Sequence, residues 1–126
     1  MPFVKMYLRK GKSPEFLAAL SASVHQALVS QANVPADDLF HVIQELDANC
    51  VVAHPTYGGV NRSDDLIIVE ITLNAGRTVD VKKNLYADLV ARLNQSLDVR
   101  TDDVLVSLVE VTKENWSFGG GRATYA

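Results

Sequence analysis

Features that would assign this chain of 126 residues to several protein classes are missing from it. One cysteine, Cys50, excludes an internal disulfide and is typical of a reducing compartment. The net charge is −3, without the Lys/Arg cluster of a nucleic-acid surface. The longest apolar run, 66–73, contains Glu70 and is far shorter than the ~20 residues that span a membrane. Because MPFVKMYLRK also lacks the apolar core of a signal peptide, we expect a cytoplasmic protein that binds neither nucleic acid nor membrane.

The motifs of the common cofactor sites are missing as well. The sequence has no glycine loop followed by Lys-Ser/Thr and no dinucleotide fingerprint, and the glycines at 119–121 do not precede a predicted helix. Three histidines, His25, His41 and His54, fall in different predicted elements. We therefore expect no metal site and no cofactor.

An internal repeat organises what is present. With an offset of 65 residues, VPADDLFHVIQEL at 34–46 aligns without a gap with VRTDDVLVSLVEV at 99–111. The same offset places Asp38 on Asp103 and the segment GKS at 11–13 on GRT at 76–78. We expect a single domain, 1–126, with these parts: repeat one (about 2–46), a loop (47–65), repeat two (about 66–111) and a C-terminal tail (112–126).

Each repeat has a β-α-β pattern. Residues rich in β-branched and large apolar side chains predict strands at 3–9, 39–46, 66–74 and 104–111. Ser13 and Thr78 are typical N-caps, each followed by an apolar stripe of helical spacing. The fold class is therefore α+β, with a four-stranded mixed sheet and two helices on one face.

The two sheet faces bear on oligomeric state. Two helices cover one face, to which we assign Val4, Met6, Leu8, Phe40, Val42, Val69, Ile71, Leu73, Leu105 and Val109. The other face is also apolar, and we assign to it Phe3, Tyr7, Leu39, Ile43, Ile68, Val104, Val106 and Leu108, with Lys5, His41, Glu70 and Glu110. An exposed apolar face of this size is typical of an interface, so we expect a homo-oligomer of closed symmetry.

Pro2 offers unusual chemistry, because removal of the initiator Met would leave its nitrogen as a secondary amine. An α-amine has a pKa near ~8 in water, and burial or a nearby cation lowers it, which makes the amine a base near neutral pH. The alternative is that Met-Pro is a common start without functional meaning. Its position directly before a strand of a doubled β-α-β chain favours the functional interpretation.

Five segments carry a family resemblance: Pro2 with its strand, VPADD at 34–38, YGGVNRSDD at 57–65, NAGRT at 74–78 and NWSFGGGRA at 115–123. Together they resemble the tautomerase superfamily, and within it malonate semialdehyde decarboxylase and its homologues. The resemblance implies a trimer in which Pro2 acts with Asp38 and Arg77. It also implies an arginine two residues before Arg77, where this chain has Ala75.

Physical roles can be assigned to these residues independently. The guanidinium of Arg77 is suited to bind a substrate carboxylate bidentately. Asp38 can orient the proline or activate water, or it can be a turn residue like its repeat counterpart Asp103. Trp116 and Phe118 can wall the pocket and exclude water, or simply pack the tail. Weaker candidates are Arg62, His54, Tyr57, Arg122 and Tyr125.

The sequence thus predicts proton transfer on a small carboxylate-bearing oxo acid. With Pro2 neutral, the reaction is keto-enol tautomerisation. With Pro2 cationic, the alternative is decarboxylation or hydration of a 3-oxo acid. A further alternative is a non-enzymatic trimer that acts through its surface.

Overall fold

The computed structural model describes residues 1–125 as four strands and two long helices, and Ala126, the last residue of the predicted tail, lies outside the described residues. The elements follow the predicted order: β1 (Phe3–Arg9), α1 (Pro14–Gln31), β2 (His41–Leu46), β3 (Ile67–Asn74), α2 (Val79–Leu97) and β4 (Val104–Val111). Short 3₁₀ turns follow β2, precede β4 and follow β4. No helix within residues 1–125 is long and apolar enough to cross a membrane.

Both helices begin at the predicted caps. The Ser13 side chain accepts a hydrogen bond from the Phe16 N–H, and the Thr78 side chain accepts one from the Val81 N–H. Gly11 and Gly76, two residues before these caps, have φ angles of 123° and 125°. Such angles favour glycine, and their near-identity shows that the repeat extends to the backbone of the turns.

The sheet has the strand order β2-β1-β3-β4 and is mixed, as predicted. Strands β1 and β2 are parallel, β3 and β4 are parallel, and the central pair β1–β3 is antiparallel. In the antiparallel pair Phe3 lies opposite Thr72. The start of the chain is therefore next to the end of β3, where the GRT turn begins.

The helices pack on one face of the sheet and bury the core. Helix α1 contributes Leu20, Val24 and Leu28, and α2 contributes Leu85, Leu89 and Leu93. The central strands present alternate residues to them, and these are Val4, Met6, Leu8, Ile67, Val69, Ile71 and Leu73. Partly buried residues of the outer strands complete the core: Ile43, Val104, Val106 and Leu108.

The prediction for the outer strands was wrong, because their faces are inverted. Met6 pairs with Ile43 and Val69 with Val106, and directly paired residues share a sheet face. Both faces of β2 and β4 carry apolar residues, so alternation alone did not reveal the register, and a shift by one residue exchanges the faces. The helix-covered face therefore carries His41, Ile43, Val104, Val106, Leu108 and Glu110, and the open face carries Val42, Leu105 and Val109.

The open face is still apolar after this correction. Val42 is 42%, Leu105 37% and Val109 42% exposed in the single chain. The half-buried Ile68 and Phe3 lie on the same face. The same face carries one polar pair, in which the Tyr7 hydroxyl donates to Glu70 at 3.1 Å.

Candidate active site

Three segments converge at the start of β1. The Val4 N–H donates to the Phe40 carbonyl at 2.9 Å, which brings the 34–40 segment beside the N-terminus. The antiparallel β1–β3 pairing brings the end of β3 to the same place. The predicted site residues Pro2, Asp38 and Arg77 thus lie around one point, although two of them are 39 residues apart in the sequence.

The α-amine lies beside Asp38. Met1 precedes Pro2 in this chain, so the charged amine belongs to Met1, and its nitrogen is 3.9 Å from Asp38 Oδ2. Burial lowers the pKa of this amine below its usual value, and the positive charge of Arg77 lowers it further, whereas Asp38 acts in the opposite direction. Pro2 itself is buried.

Asp38 is a buried carboxylate with few compensating contacts. It is 5% exposed, and neither of its oxygens has a hydrogen-bond partner among the described residues. Burial raises its pKa, and Asp37 adds to this effect, while the α-amine and His25 oppose it. Buried polar atoms are usually hydrogen-bonded, so an unpaired carboxylate is an exception that requires a reason.

The repeat counterpart Asp103 has a different environment at the equivalent position. It is completely buried, and it accepts hydrogen bonds from the Ser63 N–H at 2.7 Å and from the Ser63 hydroxyl. Arg100 adds an ionic contact at 3.4 Å. Burial acts to raise the pKa of Asp103, but the bonds from Ser63 and the charge of Arg100 outweigh it and lower the pKa. Asp103 is therefore a structural residue.

Arg77 is half-buried and connects two elements. Its Nε and Nη2 donate to the Ala32 carbonyl at 3.1 and 2.8 Å, and Nη1 donates to the Asn74 carbonyl at 3.1 Å. Ala32 caps the C-terminus of α1, where a positive charge is favourable. A guanidinium has five N–H donors, and these bonds use three of them. Arg77 is thus neither a solvated surface residue nor saturated by its contacts with the described residues.

An aromatic cluster lies beside the end of β3. Trp116 Nε1 donates to Asn74 Oδ1 at 2.7 Å, so Trp116 and Arg77 are fixed by the same residue. The Phe118 ring stacks between Trp116 and Phe40, with centroid distances of 5.6 and 5.9 Å. Phe3, Phe40, Trp116, Ser117 and Phe118 line an open hollow of about 240 Å³. Since Phe3 follows Pro2 directly, this hollow adjoins the start of the chain.

Sequence reasoning missed a pair of contacting histidines, of which His25 lies near Asp38. His25 on α1 and His41 at the start of β2 lie edge to face, with ring centroids 5.9 Å apart. Burial, with a smaller contribution from the charge of His25, lowers the pKa of His41 to about 4. The available signal was the position of His25 within the apolar stripe of α1, where a polar side chain is expected to have a specific partner.

The weaker candidates lie in the long loop and the tail. Arg62 donates to the carbonyls of His54 and Tyr57 and thereby holds the loop together. The rings of Tyr125 and Phe118 form a T-shaped pair with centroids 5.5 Å apart, while Arg122 is exposed. Among residues 1–125, no group of three or more His, Cys, Asp or Glu side chains is arranged to hold a metal ion.

Comparison with known proteins assigns the family. A model of the family described as tautomerase enzyme matches residues 38–119, and a second tautomerase model matches residues 2–61. A probable tautomerase of Bacillus subtilis (strain 168), YusQ, is 42% identical over 98% of this chain and 97% of its own length. The chain belongs to the tautomerase family of enzymes. The prediction of a tautomerase-superfamily enzyme is therefore confirmed.

Two solved structures are similar to this chain. FG41 malonate semialdehyde decarboxylase, solved with the inhibitor 3-bromopropiolate, superposes with a TM-score of 0.91 at 30% identity, over 98% of this chain and 93% of that one. A fused 4-OT, solved as a symmetric trimer, superposes with a TM-score of 0.79 at 25% identity, over 98% and 97%. Both similarities extend over almost the entire chain.

Proposed function

We propose that the mature chain begins at Pro2 and that its secondary amine transfers protons on a small oxo acid that carries a carboxylate. The reaction is keto-enol tautomerisation. The neutral amine takes the hydroxyl proton of an enol, and the C–O bond becomes a carbonyl. The resulting ammonium gives a proton to the carbon of the former C=C bond that did not bear the hydroxyl, so the amine is regenerated. No cofactor is required for this exchange.

The neighbouring residues have complementary roles in this proposal. Arg77 holds the substrate carboxylate with the two N–H groups that its contacts with the described residues leave free, and the bonds to Ala32 and Asn74 keep the guanidinium in place. Asp38 orients the amine and stabilises its protonated form. Trp116 and Phe118 exclude water, which strengthens both charge contacts.

One observation carries the proposal: the contrast between Asp38 and Asp103. Two carboxylates occupy equivalent positions in the repeat, and both are buried. Asp103 is satisfied by Ser63 and Arg100, whereas Asp38 has no hydrogen bond from the described residues and lies 3.9 Å from the amine of Met1, the residue before Pro2. An unsatisfied carboxylate is costly to a fold, and such costs are typical of functional sites.

Decarboxylation of a 3-oxo acid is the second candidate. The similarity to FG41 malonate semialdehyde decarboxylase supports it, as does the charge of Asp38, which favours the cationic amine. A cationic amine polarises the 3-oxo carbonyl, the bond to the carboxylate breaks, carbon dioxide leaves, and the enolate takes up a proton. Ala75 stands where the resemblance implies a second arginine, and this departure from the decarboxylase pattern keeps decarboxylation as the second candidate.

We also propose that the chain assembles as a trimer through the open sheet face. Val42, Leu105 and Val109 are exposed apolar residues of that face, and the similar fused 4-OT is a trimer. The single domain 1–126 would be the repeating subunit, with a small molecule rather than nucleic acid or membrane as its ligand. The exposed free thiol of Cys50 supports a cytoplasmic location.

Mass spectrometry combined with two assays tests the function. The intact mass is expected to lack the initiator Met. The purified protein is expected to accelerate the decay of the ultraviolet absorbance of enol phenylpyruvate more than it accelerates carbon dioxide release from malonate semialdehyde. Asp103→Asn, which alters the structural counterpart, is the control and should retain activity. A retained Met1, or no acceleration of either reaction, would contradict the proposal.

A further inference from the structure

His25 makes a contact for which the proposed mechanism has no role. It lies on α1 and is 8% exposed, and its Nε2 is 2.7 Å from the Ala36 carbonyl. A carbonyl oxygen only accepts hydrogen bonds, so Nε2 carries the hydrogen in this contact. The other ring nitrogen, Nδ1, is buried and has no hydrogen-bond partner among the described residues.

The contact joins α1 to the turn that carries Asp38. Within this turn the Asp38 N–H donates to the Pro35 carbonyl at 3.0 Å, and the Leu39 N–H donates to the Asp37 carbonyl at 3.1 Å. These local bonds shape the turn but do not fix it relative to the helix. The Val34 N–H donates to the Leu28 carbonyl of α1 at 3.3 Å, four residues before Asp38. The bond from His25 to Ala36 connects the turn to α1 closer to the carboxylate, two residues before Asp38.

His41 supports His25 from the side. Its Nδ1 is 2.8 Å from the hydroxyl of Ser21, which lies one helical turn before His25 on α1. Because the pKa of His41 is lowered to about 4, the His41 ring is neutral near neutral pH and contributes packing rather than charge. The two rings meet at 5.9 Å, edge to face, which restricts the orientation of His25.

We propose that His25 is a positioning residue, whose bond to the Ala36 carbonyl holds Asp38 beside the α-amine. The proposal rests on the proposed function, since it assigns to Asp38 a role on the amine. His25 itself does not touch the substrate. Its counterpart at the same position of repeat two is Val90, and the satisfied Asp103 requires no such support.

Few charged groups act on the pKa of the α-amine. Asp38 raises the amine pKa, and Arg77 lowers it. Asp37 and His25 act on Asp38, and His41 is neutral. If a substitution of His25 moves Asp38 away, the amine loses the effect of the Asp38 charge, and the amine pKa falls.

Two substitutions test whether the bond to the Ala36 carbonyl matters, or only the presence of a polar side chain at position 25. His25→Gln places an amide N–H close to the position of Nε2 and can keep the bond to Ala36, whereas the side chain of His25→Asn is too short to do so. Val24→Ala is the control, because it creates a cavity at a fully buried neighbour on the same helix without touching the turn. The readouts are the pKa of the α-amine, by NMR of ¹⁵N/¹³C-labelled protein, and kcat and KM for enol phenylpyruvate.

We expect His25→Asn to lower the amine pKa towards the value of Asp38→Asn, and to lower kcat about 10- to 100-fold with KM changed less than about 3-fold. His25→Gln and Val24→Ala should keep both quantities near those of the wild type. A folded His25→Asn variant with an unchanged amine pKa would overturn the proposal, and so would equal losses of kcat in all three variants. The NMR titration needs no substrate and follows whichever residue bears the amine, so it remains decisive even if the proposed function fails.

Discussion

Replacing Asp38 and Asp103 by asparagine, one at a time, should change stability in opposite directions. The two residues occupy equivalent positions of the repeat and are both buried. Asp38→Asn removes a buried charge that accepts no hydrogen bond from the described residues. Asp103→Asn weakens two hydrogen bonds from Ser63 and an ionic contact with Arg100. Because the two aspartates occupy equivalent backbone positions, a difference between the two variants reports the difference in their contacts.

The magnitudes follow from these contacts. Hydrogen bonds to charged groups contribute about 1.5–3 kcal/mol, and an asparagine can still accept one of the two bonds from Ser63, so Asp103→Asn should cost about 2–3 kcal/mol. Removing the charge of Asp38 should stabilise the fold by roughly 1–2 kcal/mol. At about 4 °C per kcal/mol for a domain of this size, Tm should fall by roughly 8–12 °C for Asp103→Asn and rise by roughly 4–8 °C for Asp38→Asn.

The pH dependence of these differences has a defined sign. The pKa of Asp38 is raised, so its unfavourable charge disappears as the pH falls through the folded-state value, and the gap between wild type and Asp38→Asn closes. The pKa of Asp103 is lowered. The stability that its charge contributes is complete above the unfolded value near ~3.9, and it is lost only as the pH falls below that value.

Thermal unfolding between pH 3 and pH 8, at one fixed protein concentration, measures both effects, and turnover of enol phenylpyruvate measures function. Fixed concentration matters because dissociation of an oligomer makes Tm concentration-dependent. Turnover should fall strongly in Asp38→Asn and by less than about 3-fold in Asp103→Asn. If both variants lose stability and retain turnover equally, Asp38 is a structural turn residue and the reasoning is refuted.

Three further predictions concern the surrounding residues. Arg77→Ala should lower kcat/KM by about 30- to 1,000-fold, mainly through KM, and should also lower Tm, since the cap on Ala32 is lost; an unchanged KM would remove Arg77 from substrate binding. Trp116→Phe, which loses the bond to Asn74, should lower kcat/KM by about 3- to 10-fold in the same assay, and wild-type kinetics would reduce the tryptophan to packing. Val42→Asp should convert a trimer into monomers in sedimentation experiments at micromolar concentration, and a trimer that persists would exclude the open face as the interface.

The repeat made most of the fold predictable from the sequence. Caps at Ser13 and Thr78 fixed the helix starts, and two strands have the predicted bounds. The faces of the outer strands were not predictable in the same way, since β2 and β4 are apolar on both sides and only the register with their neighbours decides between them. A central strand such as β1 alternates clearly, and its face was predicted correctly.

The principal residues of the candidate site could be predicted from the sequence, but their contacts could not. Pro2, Asp38 and Arg77 could be proposed from the repeat and the family resemblance. The contacts that fix them could not, because they depend on distant pairings such as Arg77 with Ala32 and His25 with Ala36. Those partners are backbone carbonyls, which every residue has, so no sequence pattern identifies them.

The kinetics of Pro2→Ala test the central claim most directly. Alanine also permits removal of the initiator Met, so the variant retains a primary α-amine at the same place, and mass spectrometry can verify that both proteins begin at residue 2. We expect kcat/KM for enol phenylpyruvate to fall by about 10²- to 10⁴-fold, the range over which a positioned acid or base contributes, while Tm stays within a few degrees of the wild type. A folded Pro2→Ala variant with the kcat/KM of the wild type would contradict proton transfer by the amino-terminal proline.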